Sequence, residues 1–210
     1  MNEVNPKDFY YAIKQRERTS IKVRGSEFIA TIIPVTSKDQ AMKELETIRS
    51  EFFDATHNCF AYRLGKGGLE FRTSDDGEPS GSAGKPMLFM LQKYDVSDVL
   101  LIVTRYFGGT KLGIGGLARA YSDSSEAVLQ TIQKIPIFSA VDIRVLCTYE
   151  DVSIIRKLIE EYAISSDSDY RDVVEFIARI PESNVEEFCA NVTSYTAGRA
   201  GAMPINPSID

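Results

Sequence analysis

The segment VLLIVTRYFGGTKLGIGGLARAY, residues 99–121, carries in one run the signals that decide the fold of the first half of the chain. Val99 to Val103 are apolar without a break, which reads as a strand buried on both faces. The glycines of RYFGGTKLGIGG end that pattern and mark a loop. From about Gly115 or Gly116 the apolar residues recur at helical spacing, at Leu117, Tyr121, Val128 and Ile132, so a long helix is expected as far as Pro136. A glycine-rich loop between a strand and a helix is also a place to hold an anion. The first N–H groups of a helix are unpaired, and its dipole favours negative charge there.

Working outward from this segment, TSIKVRGSEFIATII alternates about Arg24-Gly25. Ile21 and Val23 on one side, and Phe28, Ala30 and Ile32 on the other, predict a β-hairpin with Gly second in its turn. Ser37, with Gln40 three residues on, reads as a capping box that opens a helix with Ala41, Leu45, Ile48 and Phe52 on one face. CFAYRL (59–64) reads as a strand. RTSDDGEPSGSAGKP (72–86) is a second glycine-rich loop, which should run into a short helix carrying Met87, Leu88, Met90 and Leu91. Beyond Pro136 the pattern changes. Val141, Ile143, Val145, Cys147 and Tyr149 alternate as a strand. An amphipathic helix over 151–162 follows, then strands at 163–170 and 173–180 turning at Arg171-Asp172. Pro181 and Ser183, with Glu186 as capping partner, should open a last helix through Val185, Phe188, Cys189 and Val192, and a final strand is expected after Gly198. The order β-α-β-β-α, with that last strand, is the ferredoxin-like pattern. The expected fold is therefore α+β in two domains, residues 1–136 and 137–210.

Composition narrows the function classes. The 210 residues are 43% hydrophobic and 26% charged, an ordinary globular balance. No apolar run approaches the roughly 18 residues of a membrane-spanning helix, and MNEVNPKDFY lacks the pattern of a secretory signal, so no membrane partner is expected. Cys59, Cys147 and Cys189 form no CxxC pair. This argues against a disulfide framework and fits a cytoplasmic protein. His57 is the only histidine and Trp is absent, which excludes a histidine-rich metal site and any mechanism needing two histidines; no metal and no cofactor enters the expected function. The net charge of −6 is unevenly placed. Residues 1–136 hold 18 Lys and Arg against 17 Asp and Glu, and residues 137–210 hold 6 against 13. A polyanion would meet the first part and be repelled by the second.

Two phosphate motifs fail on spacing. GTKLGIGGLA has the glycines of a dinucleotide fingerprint, but no acid stands about 20 residues on to hold a ribose. Gly84-Lys85 is followed by Pro86 where a P-loop needs Ser or Thr. The loops keep their physical content. Gly108, Gly109, Gly113 and Gly116 let backbone approach a ligand. Lys85, Arg105, Lys111 and Arg119 offer positive charge, and Arg105 has Asp75 or Asp76 as its other reading, as an ion-pair partner. Asp75, Asp76 and Glu78 read as turn formers, as oxygen ligands for a divalent cation, or as contacts to a basic partner. His57 stands just before a strand, either structural or touching a ligand. Tyr106 and Phe107 read as core or as a stacking platform. No nucleophile–base pair suggests itself, so an enzyme is the second reading of this sequence and a binding module the first.

Taken together, DATHNCFAYRL, SDDGEPSGSAGKPML and VTRYFGGTKLGIGGLARAY, in this order and spacing, closely resemble the YigZ/IMPACT family over residues 17–130. The second region resembles the extra ferredoxin-like domain of bacterial members. The resemblance implies a first domain similar to the second domain of a small-subunit ribosomal protein and to domain IV of elongation factor G, with a second similar to that factor's domain V. Both comparisons imply a link to translation, with RNA or a ribosome-associated protein as partner. The resemblance also implies a shared surface, with 72–86 as one wall and 104–119 as the other. The residues assigned to it are His57, Ser74, Asp75, Asp76, Gly77, Glu78, Pro79, Ser80, Gly81, Lys85, Arg105, Tyr106, Gly108, Gly109, Lys111, Gly113, Gly116 and Arg119. A phosphate-like anion at the glycine-rich loops is the matching ligand. The alternative is an enzyme acting on a phosphorylated small molecule through the same loops.

Overall fold

The computed structural model describes residues 8–205. Among these the chain falls into two compact α+β units, residues 10–137 and residues 138–205 with Asp8 and Phe9. The first contains β1 (Phe9–Ile13), β2 (Glu17–Val23), β3 (Ser26–Pro34), α1 (Lys38–Glu51), β4 (His57–Leu64), β5 (Glu70–Ser74), α2 (Gly84–Lys93), β6 (Val99–Tyr106), α3 (Gly113–Leu129) and β7 (Lys134–Phe138). Five strands form one sheet in the order β2-β3-β6-β4-β5, each neighbouring pair antiparallel. β1 and β7 pair separately.

The unbroken apolar run of β6 follows from helices on both faces. Leu101 and Val103 pack with Met87, Leu91, Leu117 and Tyr121 in one cluster. Leu100 and Ile102 pack with Leu45 and Ile48 in another. Alternate side chains of a strand point to opposite faces, so α2 and α3 cover one side of the sheet and α1 the other. β4 divides in the same way, with Cys59 and Ala61 on one side and Phe60 and Tyr62 on the other. The expected hairpin is present. Arg24 and Gly25 both have positive φ, 47° and 84°, and Val23 faces Ser26. At α1, Ser37 Oγ accepts the Gln40 N–H at 3.2 Å. Gln40 Oε1 returns the contact to the Thr36 N–H at 2.9 Å.

Helix α3 differs from expectation at both ends. It begins at Gly113 rather than near Gly115 or Gly116, and stops at Leu129, well before Pro136. The stop has a local cause. The Thr131 hydroxyl and N–H both donate to the Val128 carbonyl, at 2.8 and 3.1 Å, and tighten the turn. Pro136 lies in β7, where a two-stranded pairing leaves one edge free of N–H demands.

The second unit holds β8 (Ala140–Cys147), α4 (Val152–Tyr162), β9 (Ser165–Tyr170), β10 (Val174–Pro181), α5 (Val185–Tyr195) and β11 (Gly201–Pro204). Its sheet order is β11-β8-β10-β9, antiparallel throughout. Val145, Phe176, Ile155 and Phe188 lie in its core, between the sheet and the two helices. The capping box expected at Ser183 and Glu186 is not formed. A 3-10 turn, Glu182–Asn184, precedes α5, which has no side-chain cap. The Ser183 N–H and hydroxyl instead both donate to the Asp8 carboxylate at 2.8 Å. A buried carboxylate distant in sequence satisfies this turn better than a solvated Glu186 does. Among the described residues no helix is long and apolar enough to cross a membrane.

Candidate functional site

The loop from Ser74 to Pro86 is built around its own acids. Helix α2 starts at Gly84 with Ala83 as its cap residue, which has no side-chain acceptor to offer. Asp75 supplies one from a distance. Its Oδ1 accepts the N–H groups of Ala83 and Gly84 at 3.0 and 2.8 Å, and its Oδ2 accepts that of Gly81 at 2.8 Å. Burial alone would raise the pKa of this carboxyl, but the three backbone donors outweigh it and hold the group below its ordinary value. Asp76 is equally committed. Its Oδ2 accepts the Asn58 N–H at 2.7 Å and its Oδ1 meets Arg49 Nη2 at 3.0 Å. The Asp76 N–H donates to Ser74 Oγ at 3.2 Å. The Asp76 carbonyl lies 2.8 Å from His57 Nδ1. A carbonyl only accepts, so Nδ1 is the donor in this contact.

Glu78 goes deepest. Its Oε1 accepts Arg105 Nη1 at 2.6 Å and the Tyr121 hydroxyl at 2.8 Å. His57 Nε2 stands 3.9 Å away. Arg105 therefore pairs with Glu78, which corrects the expectation of Asp75 or Asp76, since those two are taken up by backbone N–H groups and Arg49. The guanidinium lies over two aromatic rings, 5.4 Å from that of Phe28 and 5.5 Å from that of Phe107. Its Nη2 reaches Ser26 Oγ at 3.3 Å, and its Nε has no acceptor among the described residues. The Cys59 thiol lies 3.0 Å from the Asp75 carbonyl and 3.3 Å from the Tyr121 hydroxyl. Burial pushes this thiol up to about 12 and raises the Tyr121 phenol as well.

Over this network opens a cleft of about 330 Å³, lined chiefly by apolar groups. Glu78 and Pro79 come to it from the first glycine-rich loop. Arg105 comes from the end of β6, Phe107, Lys111 and Leu112 from the second loop, and Gly113, Ile114 and Leu117 from the first turns of α3. The structure thus brings together both loops expected to share a surface. Of the nominated residues, Glu78, Pro79, Arg105, Lys111 and Gly113 line the cleft. Ser74, Asp75, Asp76, Gly77 and His57 form the framework behind it. A Cβ on Gly77 would touch the His57 ring at 3.5 Å. Ser80 and Lys85 are exposed, and the Lys85 stem runs beside Gly81. The Tyr106 hydroxyl donates to Asp54 at 2.7 Å, away from the cleft. Gly108 packs on the hairpin turn at Gly25, and Gly109 stands in open space. Gly116 lies inside α3 against Leu112. Arg119 is exposed six residues after the first residue of the helix, further in than the single turn expected of it.

The sequence reading missed Leu112, Ile114 and Leu117 as lining, and Ser26, Cys59 and Tyr121 as support. Leu112 and Ile114 did leave a signal. Apolar side chains inside a glycine-rich loop serve no turn, and Ile114 is 65% exposed. Among the described residues no group of His, Cys, Asp and Glu is arranged to hold a metal ion.

The chain matches the model of the Impact N-terminal domain over residues 24–129, and that of a domain of unknown function, DUF1949, over residues 145–199. It belongs to the IMPACT family. This IMPACT-family chain is 34% identical over 195 residues to IMPACT family member YvyE of Bacillus subtilis, a match covering 91% of this chain and 88% of the other. It is 32% identical over 190 residues to IMPACT family member YigZ of Escherichia coli, covering 88% and 92%. Among solved structures it is similar to a crystal structure of a hypothetical protein, with a TM-score of 0.66 and 26% identity over 96% of this chain and 99% of that one. Both glycine-rich loops lie inside the matched Impact N-terminal domain.

Proposed function

We propose that this IMPACT-family chain is a non-enzymatic binding module whose first unit contacts RNA, in the setting of translation that the family resemblance implies. The observation that carries this reading is the fate of the charges on the two loops. Asp75, Asp76 and Glu78 are turned into bonds with backbone N–H groups, Arg49, Arg105 and Tyr121. Lys111 and Arg119 are exposed and have no ion-pair or hydrogen-bond partner among the described residues, and Lys85 is exposed with its charge acting on the Asp75 carboxylate. The charge these loops present outward is thus positive, although their composition looks acidic. A phosphate backbone is the ligand that such charges and an uncapped helix start would meet. The groups that an enzyme would need are used as struts: the imidazole Nδ1–H donates to a carbonyl, and the thiol is buried and protonated.

The finer fold reading belongs with this proposal. We read the second unit as ferredoxin-like from its β-α-β-β-α-β order, and the first as similar to the second domain of a small-subunit ribosomal protein. A cytoplasmic location goes with both and with three free cysteines.

The test is RNA binding by the full chain over a salt series, with Lys111→Ala/Arg119→Ala beside the wild type. The double variant should bind more weakly by roughly 1–3 kcal/mol and show a salt slope smaller by about two. Circular dichroism should show the fold intact, because both side chains are exposed. Equal affinity at low salt would remove the proposed site.

A further inference from the structure

The reading as an RNA-binding module leaves open which form of RNA is bound, and the cleft bears on that. Phe107 is 47% exposed at its wall. One side of its ring is held by the Arg105 guanidinium at 5.5 Å. That guanidinium is fixed in turn by Glu78, by Ser26 and by the Phe28 ring behind it. Phe107 is therefore an aromatic surface backed by a buried cation and a buried ion pair, with solvent before it. Ile114, 65% exposed, lines the same cleft. Lys111 and Gly113 line it too, Gly113 as the first residue of α3, a helix of 17 residues with no side-chain cap among the described residues. Arg105 also lines the cleft, with its side chain only 6% exposed, and its buried Nε–H has no acceptor among the described residues.

An apolar slot with cationic side chains in its lining suits a planar base carrying a phosphate. Its volume of about 330 Å³ is near the lower end of small-ligand pockets, ~300 Å³, which is room for a single nucleotide. A base still paired in an A-form duplex presents only its edge, whereas an unstacked base can lay its face on an aromatic ring. Resting on the RNA-binding reading, we infer that the cleft takes one unpaired nucleotide of single-stranded RNA. The base lies on the free face of Phe107, in the cleft that Ile114 also lines. Its phosphate lies toward Lys111 and the first N–H groups of α3. The slot accounts for strand form without naming a base, since every base offers a π-face.

The experiment is fluorescence anisotropy with the full chain at low salt. Its probes are a short labelled single-stranded oligoribonucleotide of mixed sequence and a labelled perfect hairpin of the same length. The proteins are wild type, Phe107→Ala, Phe107→Trp and Lys111→Ala/Arg119→Ala. The wild type should prefer the single strand by about tenfold or more. Phe107→Ala should lose at least about fivefold on the single strand and little on the hairpin. Phe107→Trp should keep the preference, which a merely structural role for Phe107 does not require. Equal binding of both probes, or an unchanged Phe107→Ala affinity while Lys111→Ala/Arg119→Ala binds more weakly, overturns the nucleotide slot and leaves the RNA-binding reading standing. Binding of neither probe by the wild type overturns both.

Discussion

Glu78 and Arg105 meet at 2.6 Å with side chains only 3% and 6% exposed. Such a pair gains little over well-packed apolar residues, but losing one member strands the other charge in the interior. Glu78→Gln or Arg105→Met should each destabilise the first unit by about 3–5 kcal/mol. The double variant Glu78→Leu/Arg105→Met should be closer to wild type than the sum of two such losses. Urea denaturation of the set measures the coupling, and strictly additive losses would mean that the two charges act independently.

Gly108 admits no side chain. A Cβ there would stand 1.8 Å from the Gly25 carbonyl carbon and 2.2 Å from the Ser26 nitrogen, both backbone atoms. Gly108→Ala should therefore part the glycine-rich loop from the β2–β3 turn and cost about 1–3 kcal/mol or more. Gly115→Ala is the matched control. Its Cβ meets nothing within 4 Å, it lies inside α3, and helix propensity predicts a gain of up to about 1 kcal/mol. Thermal denaturation should move in opposite directions for the two.

Asp75 gives the first unit a pH dependence of predictable sign. Its folded pKa lies below the ordinary 3.8, because three backbone donors outweigh the cost of burial. The ionised form is thus the stabilising one. Its contribution is fully present above the unfolded value and is lost as pH falls through the depressed folded value. Asp75→Asn should be less stable than wild type near pH 7 by about 1–3 kcal/mol. The difference should shrink below pH 3.8, once the wild-type carboxyl takes up its proton. Denaturation midpoints measured across the acid range test this. A gap that stays constant would show that Asp75 acts as a neutral acceptor.

Where elements have a strong period, the sequence already told their type. The Arg24-Gly25 turn, the Ala41, Leu45, Ile48 stripe of α1 and the apolar run of β6 all formed as read, since each is a local pattern with one good burial solution. The short strands β1, β5 and β7 escaped notice. Phe9–Ile13 and Glu70–Ser74 are five residues each, too short to show a clear period, and the expected helix was carried as far as Pro136, over the start of β7. Their pairing is decided by partners far along the chain. The site divided in the same way. That two glycine-rich loops approach each other was legible in their flanking elements. Which acid pairs with Arg105 was not, because Asp75 is captured by N–H groups six to nine residues ahead and Glu78 by a tyrosine 43 residues away. Asp8 at Ser183 is the extreme case, the partners standing 175 positions apart in the chain.

The placement of Cys59 makes the molecule its own clock. A thiol whose pKa is pushed up to about 12, closed in beneath the Asp75 carbonyl and the Tyr121 hydroxyl, is almost absent as thiolate and out of reach of an alkylating reagent. Cys189 is partly exposed, whereas Cys147 is buried in the second unit. The order in which mass spectrometry finds the three thiols modified therefore reads out the frequency with which each region opens. Modification of Cys59 follows the lifting of the 75–84 loop from the sheet, and at reagent concentrations that outpace reclosing it reads the opening rate itself.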